Sequence, residues 1–450
     1  MNCRLETVGR FFLALVVAST FGACGSNTGS PPPVDANASV NIDAGAGVDV
    51  TAAEAGPSTA AVDASSNEAG ASQSVAPNGI VVVNSDYQSS SVSFLDRDGN
   101  LLKDGCFNSG SGPQGFTMTL SGDVVLPSQQ TIGGDVVIVD RQNAALTWLD
   151  PVTCTPLRQL AVGTGFASNP HDVVMLSASK AYVSRFEENA KPTPAPGDFD
   201  EGDDLLIVDP SQPKILGRID LKAYAPAGAN ILPRADRALL AEGKVFVSLN
   251  GITADYGSYG VGRIVVVDPT LDQVVGTIDI AGAKDCGALS YLAAERKLLV
   301  ACDGAYGPEQ ADTSAIVAID LSVAPPVVVS LVGATAVGGL LFSNSSVAAL
   351  SENNVAAVTL GDLSNSPPDR LWSLSMTGGQ PVKVFDSAEG FSLGAVLADV
   401  DRGRIVVADG TTTSAAFVRM FDLVAGTLSA TKTTNADPSH NLPPRGLAWY

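Results

Sequence analysis

The feature that most constrains this chain is a short unit that recurs along it. Residues 203–223 run DDLLIVDPSQPKILGRIDLKA, and residues 263–282 run RIVVVDPTLDQVVGTIDIAG. Each is an apolar run of strand length, then Asp-Pro, a few turn residues and a second β-branched run. Asp at the first turn position accepts hydrogen bonds from the turn backbone, and Pro at the next has φ already set for a type I turn. Each unit therefore predicts a β-hairpin. The unit from Ala145 keeps the Asp-Pro, while those from Ser91, Ala315 and Phe417 keep the Asp alone. The aspartates are Asp96, Asp150, Asp209, Asp268, Asp320 and Asp422, with successive spacings of 54, 59, 59, 52 and 102. The last spacing is nearly double, and NVAAVTLGDLSNSPPDRLWSLSM from Asn354 fits the gap as a degenerate unit. Seven units of about fifty residues have the period of propeller blades rather than of helical solenoids.

The start of the chain stands apart from these units. Arg4 and Arg10 precede a short apolar run over residues 11–20, too short to span a bilayer as a helix. Residues 1–23 read as a secretory signal. Small residues before Cys24 resemble the lipobox of bacterial lipoproteins, with Phe21 where Leu, Val or Ile is usual. The resemblance implies that Cys24 is lipidated and becomes the mature N-terminus, and Gly25 after it favours the outer membrane or cell surface. Residues 25–78 contain no aromatic, Lys or Arg, and six acids are their only charges. Such a segment cannot bury enough apolar surface to order itself, and as a coil it would span roughly 40 Å. Residues 24–78 are thus expected to tether the folded region, residues 79–450, to a membrane.

The folded region is rich in Val, Ile, Gly and Pro and has no long amphipathic pattern, which indicates an all-β domain. A seven-bladed propeller of four-stranded antiparallel blades is expected. In blade 3, strands a to d from the channel outward are placed at 171–177, 180–185, 204–209 and 214–221. Blade 4 repeats them at 237–241, 244–249, 263–268 and 273–280, and blade 5 at 287–293, 297–302, 315–320 and 327–332. The chain stops on a segment patterned like a strand a, and the folded region opens on one patterned like a strand b. Pairing the C-terminal strand with the N-terminal blade would close the ring and leave no open edges.

The stretches KAYVSRFEEN…DDLLIVDPSQPKILGRIDL and KVFVSLNG…GRIVVVDPTLDQVVGTIDIAG resemble YVTN-type β-propeller repeats. In those repeats a Tyr-Val strand b precedes an I-x-V-I-D strand c and a K-V-x-x-x-I strand d. The resemblance covers blades 3 and 4 well, blades 2, 5 and 7 in part, and blades 1 and 6 poorly. It implies the fold and says little about activity, because related propellers serve as surface proteins, binding scaffolds and, in a minority, enzymes.

A net charge of −21 argues against nucleic acid and anionic lipid surfaces as partners. Once Cys3 leaves with the signal and Cys24 takes a lipid, Cys106, Cys154, Cys286 and Cys302 remain, an even number in an exported domain. Cys286 and Cys302 flank one predicted hairpin. Cys106, in strand d of blade 1, and Cys154, past strand c of blade 2, belong to neighbouring blades. No Cys-x-x-Cys occurs, which argues against zinc.

Three groups are candidate sites. The blade 3 loop FEENAKPTPAPGDFDEGDD offers Asp198, Asp200 and Asp203 as oxygen ligands of a density suited to Ca2+, although the spacing is not that of an EF-hand. Where the chain enters strand a, Pro170-His171, Pro233-Arg234 and Pro444-Arg445 recur. His171, Arg234 and Arg445 are thus expected at the channel mouth, as ligands for an anionic small molecule or as partners of nearby acids such as Asp172 and Asp236. Long b–c loops in blades 3, 4 and 5, with blade 6 nearly lacking one, are expected to build a raised rim bearing Tyr256, Tyr259, Tyr306, Asp255 and Asp303. The rim would hold a protein, a carbohydrate or a small molecule. Gly390–Gly394 fits G-x-S-x-G and Gly110–Gly115 fits G-x-G-x-x-G, but neither has the helix its chemistry requires. The sequence thus reads as a monomeric, lipid-anchored, extracytoplasmic binding or scaffold module. The alternative is a metal-dependent, lactonase- or lyase-like propeller enzyme, which acids and Asn converging on the channel mouth would distinguish.

Overall fold

The aspartate of each repeated unit does the work its position implies. Asp209 Oδ1 accepts the Ser211 N–H (2.9 Å) and Oγ (2.6 Å), Asp268 Oδ1 the same pair from Thr270 (2.8 and 2.6 Å), and Asp320 Oδ1 the pair from Ser322 (2.8 and 2.6 Å). Asp96 and Asp150 likewise accept backbone N–H groups two residues on. Asp422 departs from this and pairs with Arg404, at 2.5 and 3.1 Å. Each turn joins the two outer strands of a blade.

The computed structural model describes residues 77–450 apart from 112–117, 194, 196, 363, 365 and 412–415. Cys24 and nearly all of the tether lie outside the described residues. Seven four-stranded antiparallel sheets form the blades of a propeller ring. Blade 3 comprises Pro170–Ser177, Lys180–Glu188, Gly202–Asp209 and Lys214–Asp220. Blade 4 comprises Ala235–Ala241, Lys244–Leu249, Gly262–Asp268 and Gln273–Ile280. Blade 5 comprises Cys286–Leu292, Lys297–Cys302, Ala315–Asp320 and Val327–Gly333. The expected strands are recovered to within two residues, except that Lys180–Glu188 runs three residues longer.

The ring closes as expected. Pro444–Trp449 pairs with Gly79–Ser85 as the inner strand of blade 1. Both disulfides also form. Cys286–Cys302 joins strands a and b of blade 5, and Cys106–Cys154 joins blades 1 and 2. Two stable disulfides fit an oxidising, extracytoplasmic compartment. The core lies between adjacent blades. Phe246 and Ile264 of blade 4, for example, pack with Leu289, Leu298 and Val317 of blade 5.

Two expectations need correction. In blade 6 the run from Asn354 is strand b (Asn354–Leu360), followed by strand c at Arg370–Leu374, rather than a c–d hairpin. No aspartate follows its strand c. Asn353 Oδ1 instead receives Ser375 Oγ (2.8 Å) and Thr377 Oγ1 (2.5 Å), so the turn chemistry moved to side chains the repeat does not contain. The b–c connection of blade 6 is accordingly residues 361–369, not nearly absent.

A second repeat is visible only in the register. In every blade, strand d skips one residue against strand c: Leu102, Leu157, Leu216, Val275, Val329, Val384 and Thr431. Each is a β-bulge, which twists the outer edge and blunts it against pairing with another chain. The first five are exposed, which accounts for much of the apolar surface on the outer strands.

Candidate functional site

Blade topology puts the b–c loops and the d-to-a connections on one face of the ring. The Asp turns and the a–b hairpins lie on the other. On the first face the loops of blades 3, 4 and 5 are long, as expected. In blade 4, Ile252–Thr253 pairs with Ile231–Leu232 of the preceding connection, and in blade 5 a short helix covers Gln310–Thr313.

The channel is not an open pore. Strand a of blade 2 is only Val124–Val125, and the segment after it reaches blades 3 and 4. Ser128 N–H donates to Asp172 Oδ1 of blade 3 (2.9 Å). Gln129 makes a reciprocal pair with the Leu240 backbone of blade 4, at 3.2 and 3.1 Å. Blade 3 separates those two blades around the ring, so these bonds place the segment inside it. The segment therefore fills part of the channel beside blades 3 and 4.

The three expected cations do not form one cluster. His171 stacks on Phe186 with centroids 4.3 Å apart, and its Nδ1 lies 2.7 Å from Asp236 Oδ1. Burial holds the imidazole below its usual pKa, against the pull of Asp236. The neutral ring then donates Nδ1–H to the carboxylate. That leaves a bare lone pair on Nε2, which is buried without a hydrogen-bond partner. Arg234 is fully buried, with a left-handed φ of 54°. Its guanidinium lies over Phe186 (5.1 Å) and Tyr256 (4.9 Å) and is ion-paired with Glu187, which also accepts the Tyr256 hydroxyl at 2.8 Å. His171, Arg234 and Tyr256 thus come together through Phe186. Arg445 sits apart at the seam of blades 7 and 1, donating to Phe391 O (3.0 Å) and lying 5.5 Å from the Tyr87 ring.

What gathers at the mouth beside His171 is acidic. Asp285, just before strand a of blade 5, accepts the amides of Asn250 and of Asn344, the latter at 3.1 Å. Burial raises its pKa to about 7, helped by the charge of Asp236 and opposed by the two amides. Asp303, just after strand b, is pushed well above the carboxylate range by burial and then by Asp285, with Gln310 Nε2 its donor at 3.3 Å. Tyr259 is raised to about 12 by burial and by the charges of Asp285 and Asp303. The approach is close. A Cβ on Gly287 would lie 2.7 Å from Asp236 Oδ2 and 2.5 Å from Asn344 O.

The other expected residues lie elsewhere. Asp255 caps its own loop, accepting Thr253 Oγ1 (2.6 Å) and Gly257 N–H (3.1 Å). Tyr306 is exposed on the rim beside Tyr259. Asp198, Asp200 and Asp203 are not brought together. Asp198 is exposed, and Asp200 accepts both the N–H and the hydroxyl of Thr193, at 2.6 and 2.8 Å. Asp203 is fully buried with neither oxygen bonded, and its pKa is raised to about 7 by burial and by Glu188. Among the described residues, one trio of acids and His does converge, Asp104, Asp437 and His440, at the ring seam. Ser392 of the G-x-S-x-G stretch is bonded to Ser387, and its N–H to Asp369, in a connection rather than a nucleophile elbow. Sequence reasoning missed Asp285, Asn250 and Asn344. The one available signal was register: a Cys286–Cys302 bridge across a hairpin makes Asp285 and Asp303 the next pair along.

No family model matches the chain, and no curated protein matches it. Among solved structures, a putative 6-phosphogluconolactonase from Bacteroides fragilis is similar with a TM-score of 0.53 at 10% identity, covering 85% of this chain and 100% of its own. A putative 6-phosphogluconolactonase from Bacteroides uniformis gives 0.53 at 10% identity, covering 84% and 100%. At this identity the likeness is one of fold alone, and the seven four-stranded sheets define the chain as a seven-bladed β-propeller.

Proposed function

We propose that this propeller is an extracytoplasmic binding module, lipid-anchored through Cys24 at the outer membrane or cell surface. Its ligand site is the channel mouth on the loop face, which with the Ser128–Gln129 segment beneath it would form a cup. The observation that carries this reading is the inward gathering of Asp236, Asp285 and Asp303 with Asn250 and Asn344. Acids turned toward a concave mouth suit a small ligand bearing a cationic group or several hydroxyls. The same gathering weighs against the anionic ligand expected from His171, Arg234 and Arg445, because a neutral imidazole and two internally engaged guanidiniums leave little positive field at the mouth.

One observation favours a second reading, an enzyme of the lactonase type. His171, braced by Asp236 at Nδ1 and bare at Nε2, has the geometry of a general base. The fold is shared with two putative lactonases, which supports this reading by analogy only. A thermal-shift screen of the full-length protein against amines, polyols and lactones tests both. A ligand that raises Tm in the native protein but not in Asp236→Asn supports the cup. The absence of any such ligand, or equal shifts in the variant, sinks it. Consumption of a lactone that His171→Gln slows at least tenfold would establish the second reading. In the same preparation, Cys24→Ala should move the protein from the membrane to the soluble fraction.

A further inference from the structure

We propose that Asp285, Asp303 and Asn250 form a site for a single divalent cation of the hard, oxygen-seeking kind, Ca2+ being the best fit. The inference deepens the reading of the cup as a ligand site, and rests on it for the cup's access to solvent.

The two carboxylates are held side by side by covalent structure. They are the first pair beyond the Cys286–Cys302 bridge, and the Asp303 N–H donates to Asp285 O at 3.0 Å. The hairpin cannot splay at this end without breaking both. Asn250 supplies the third donor. Its Nδ2 holds Asp285, and its Oδ1, on a side chain of a residue only 3% exposed, has no hydrogen-bond partner. A buried amide oxygen left unpaired beside two carboxylates is costly as it stands and is what a cation would satisfy. Gln310 and Tyr259 border the same corner.

No protein cation balances this pair. Lys284, adjacent in sequence, is committed to Glu309 at 3.0 Å. Arg237 serves Asp236 and the carbonyls of His171 and Leu126. Among the described residues, neither Asp285 nor Asp303 forms an ion pair with Lys or Arg. Two like charges in a buried corner must be relieved by a proton or by a metal. At Gly287, strand a of blade 5 approaches Asp236 and Asn344 too closely for a side chain, which keeps this corner tightly packed. An all-oxygen donor set of two carboxylates and an amide selects Ca2+ or Mg2+ over Zn2+, and tolerance of irregular geometry favours Ca2+.

The test uses full-length protein extracted in detergent, stripped with EGTA and exchanged into metal-free buffer. Calorimetric titration with CaCl2 should show one site, and Ca2+ should raise Tm. Terbium should bind in its place with emission sensitised by tyrosine, weakened in Tyr259→Phe without loss of binding. Asp285→Asn and Asp303→Asn should each weaken Ca2+ binding at least a hundredfold, whereas Asp200→Asn in the blade 3 loop and Asp104→Asn at the seam should leave it unchanged. If an Asp variant does not fold, Asn250→Ser, which removes the amide oxygen together with the Nδ2 that holds Asp285, should still weaken binding about tenfold. No Ca2+ binding up to millimolar concentration, or binding equal to native in the folded Asp285→Asn/Asp303→Asn double variant, overturns the proposal. The two readings fail separately. An organic ligand that binds in EGTA, in a protein that takes up no Ca2+ at millimolar concentration, keeps the cup and overturns the ion. Ca2+ binding lost with Asp285 and Asp303, in a protein that binds no organic ligand, supports the ion and removes the cup's wider role.

Discussion

The aspartates on the two faces of the ring are the same residue in opposite circumstances. On the turn face, Asp268 receives two bonds from Thr270 and one from Lys244 Nζ at 3.1 Å, and its pKa falls to about 2. On the loop face, Asp203 receives no bond to either oxygen, and Asp285 is held by amides from other blades. Both are raised to about 7. A turn aspartate finds its donors two residues away in its own chain segment. Asp285 finds its donors only when blades 4, 5 and 6 have assembled around it. The first kind stabilises the fold, and the second is tolerated by it, which is the signature expected of groups retained for binding.

The comparison presupposes a closed ring, so the largest effect should come from opening it. Deleting residues 446–450 removes most of the inner strand of blade 1, including the partners of Ile80, Val81, Val82 and Val83. The inner edge of Gly79–Ser85 is then exposed, and Leu447, Ala448 and Tyr450 leave the core. Cooperative melting should be lost altogether. A melting curve unchanged by the deletion would show that closure does not depend on this strand.

A smaller effect should distinguish the two kinds of aspartate by pH. Asp203 keeps its proton in the folded state up to about pH 7, whereas an unfolded aspartate loses it near 3.8. Its contribution to stability is therefore complete below about pH 3.8 and is lost as pH rises through about 7. Asp203→Asn removes that loss, and Asn tolerates the left-handed φ of 51° at this position. The variant should melt about 5 °C higher than the native protein at pH 8 and within about 1 °C of it at pH 4.5. An equal difference at both pH values would mean that the carboxylate is paired or solvated.

The difference between the faces also explains what was legible in the sequence. The hairpins were, because an aspartate at the first turn position encodes its own hydrogen bonds, and six such aspartates at a near-common spacing, with one interval doubled, imply seven blades. Ring closure followed from two patterned ends with missing partners. The blade 6 turn was not, because Ser375, Thr377 and Asn353 replaced the aspartate. The bulges at Leu102, Leu157, Leu216, Val275 and Val329 were invisible, since an extra residue in an apolar strand leaves no compositional mark. The segment inside the ring carries no local mark of its place, because Gln129 pairs with Leu240 two blades away rather than with anything near it. At the mouth, the rim residues Tyr259 and Asp303 were found from loop length. Asp285, Asn250 and Asn344 were not, because their meeting depends on the curvature of the ring, which no local pattern carries.

The smallest effect is the control that gives the pH experiment its meaning. Asp268→Ala removes an Asx turn and a pairing with Lys244, both at the surface, so a loss of only about 1–2 °C in Tm is expected. The folded pKa of Asp268 is depressed to about 2, so its contribution is present above about pH 3.8 and fades only as pH falls through about 2. Across the interval from pH 4.5 to 8 the loss should therefore be constant, whereas the gain from Asp203→Asn grows over the same interval. Both variants measured in one buffer series separate an acid satisfied by its own turn from an acid left unsatisfied by the ring. If the Asp268→Ala deficit itself grew toward pH 8, the turn aspartate would be titrating in that range. The contrast between the faces would then reflect general surface charge in a chain of net charge −21 rather than local bonding.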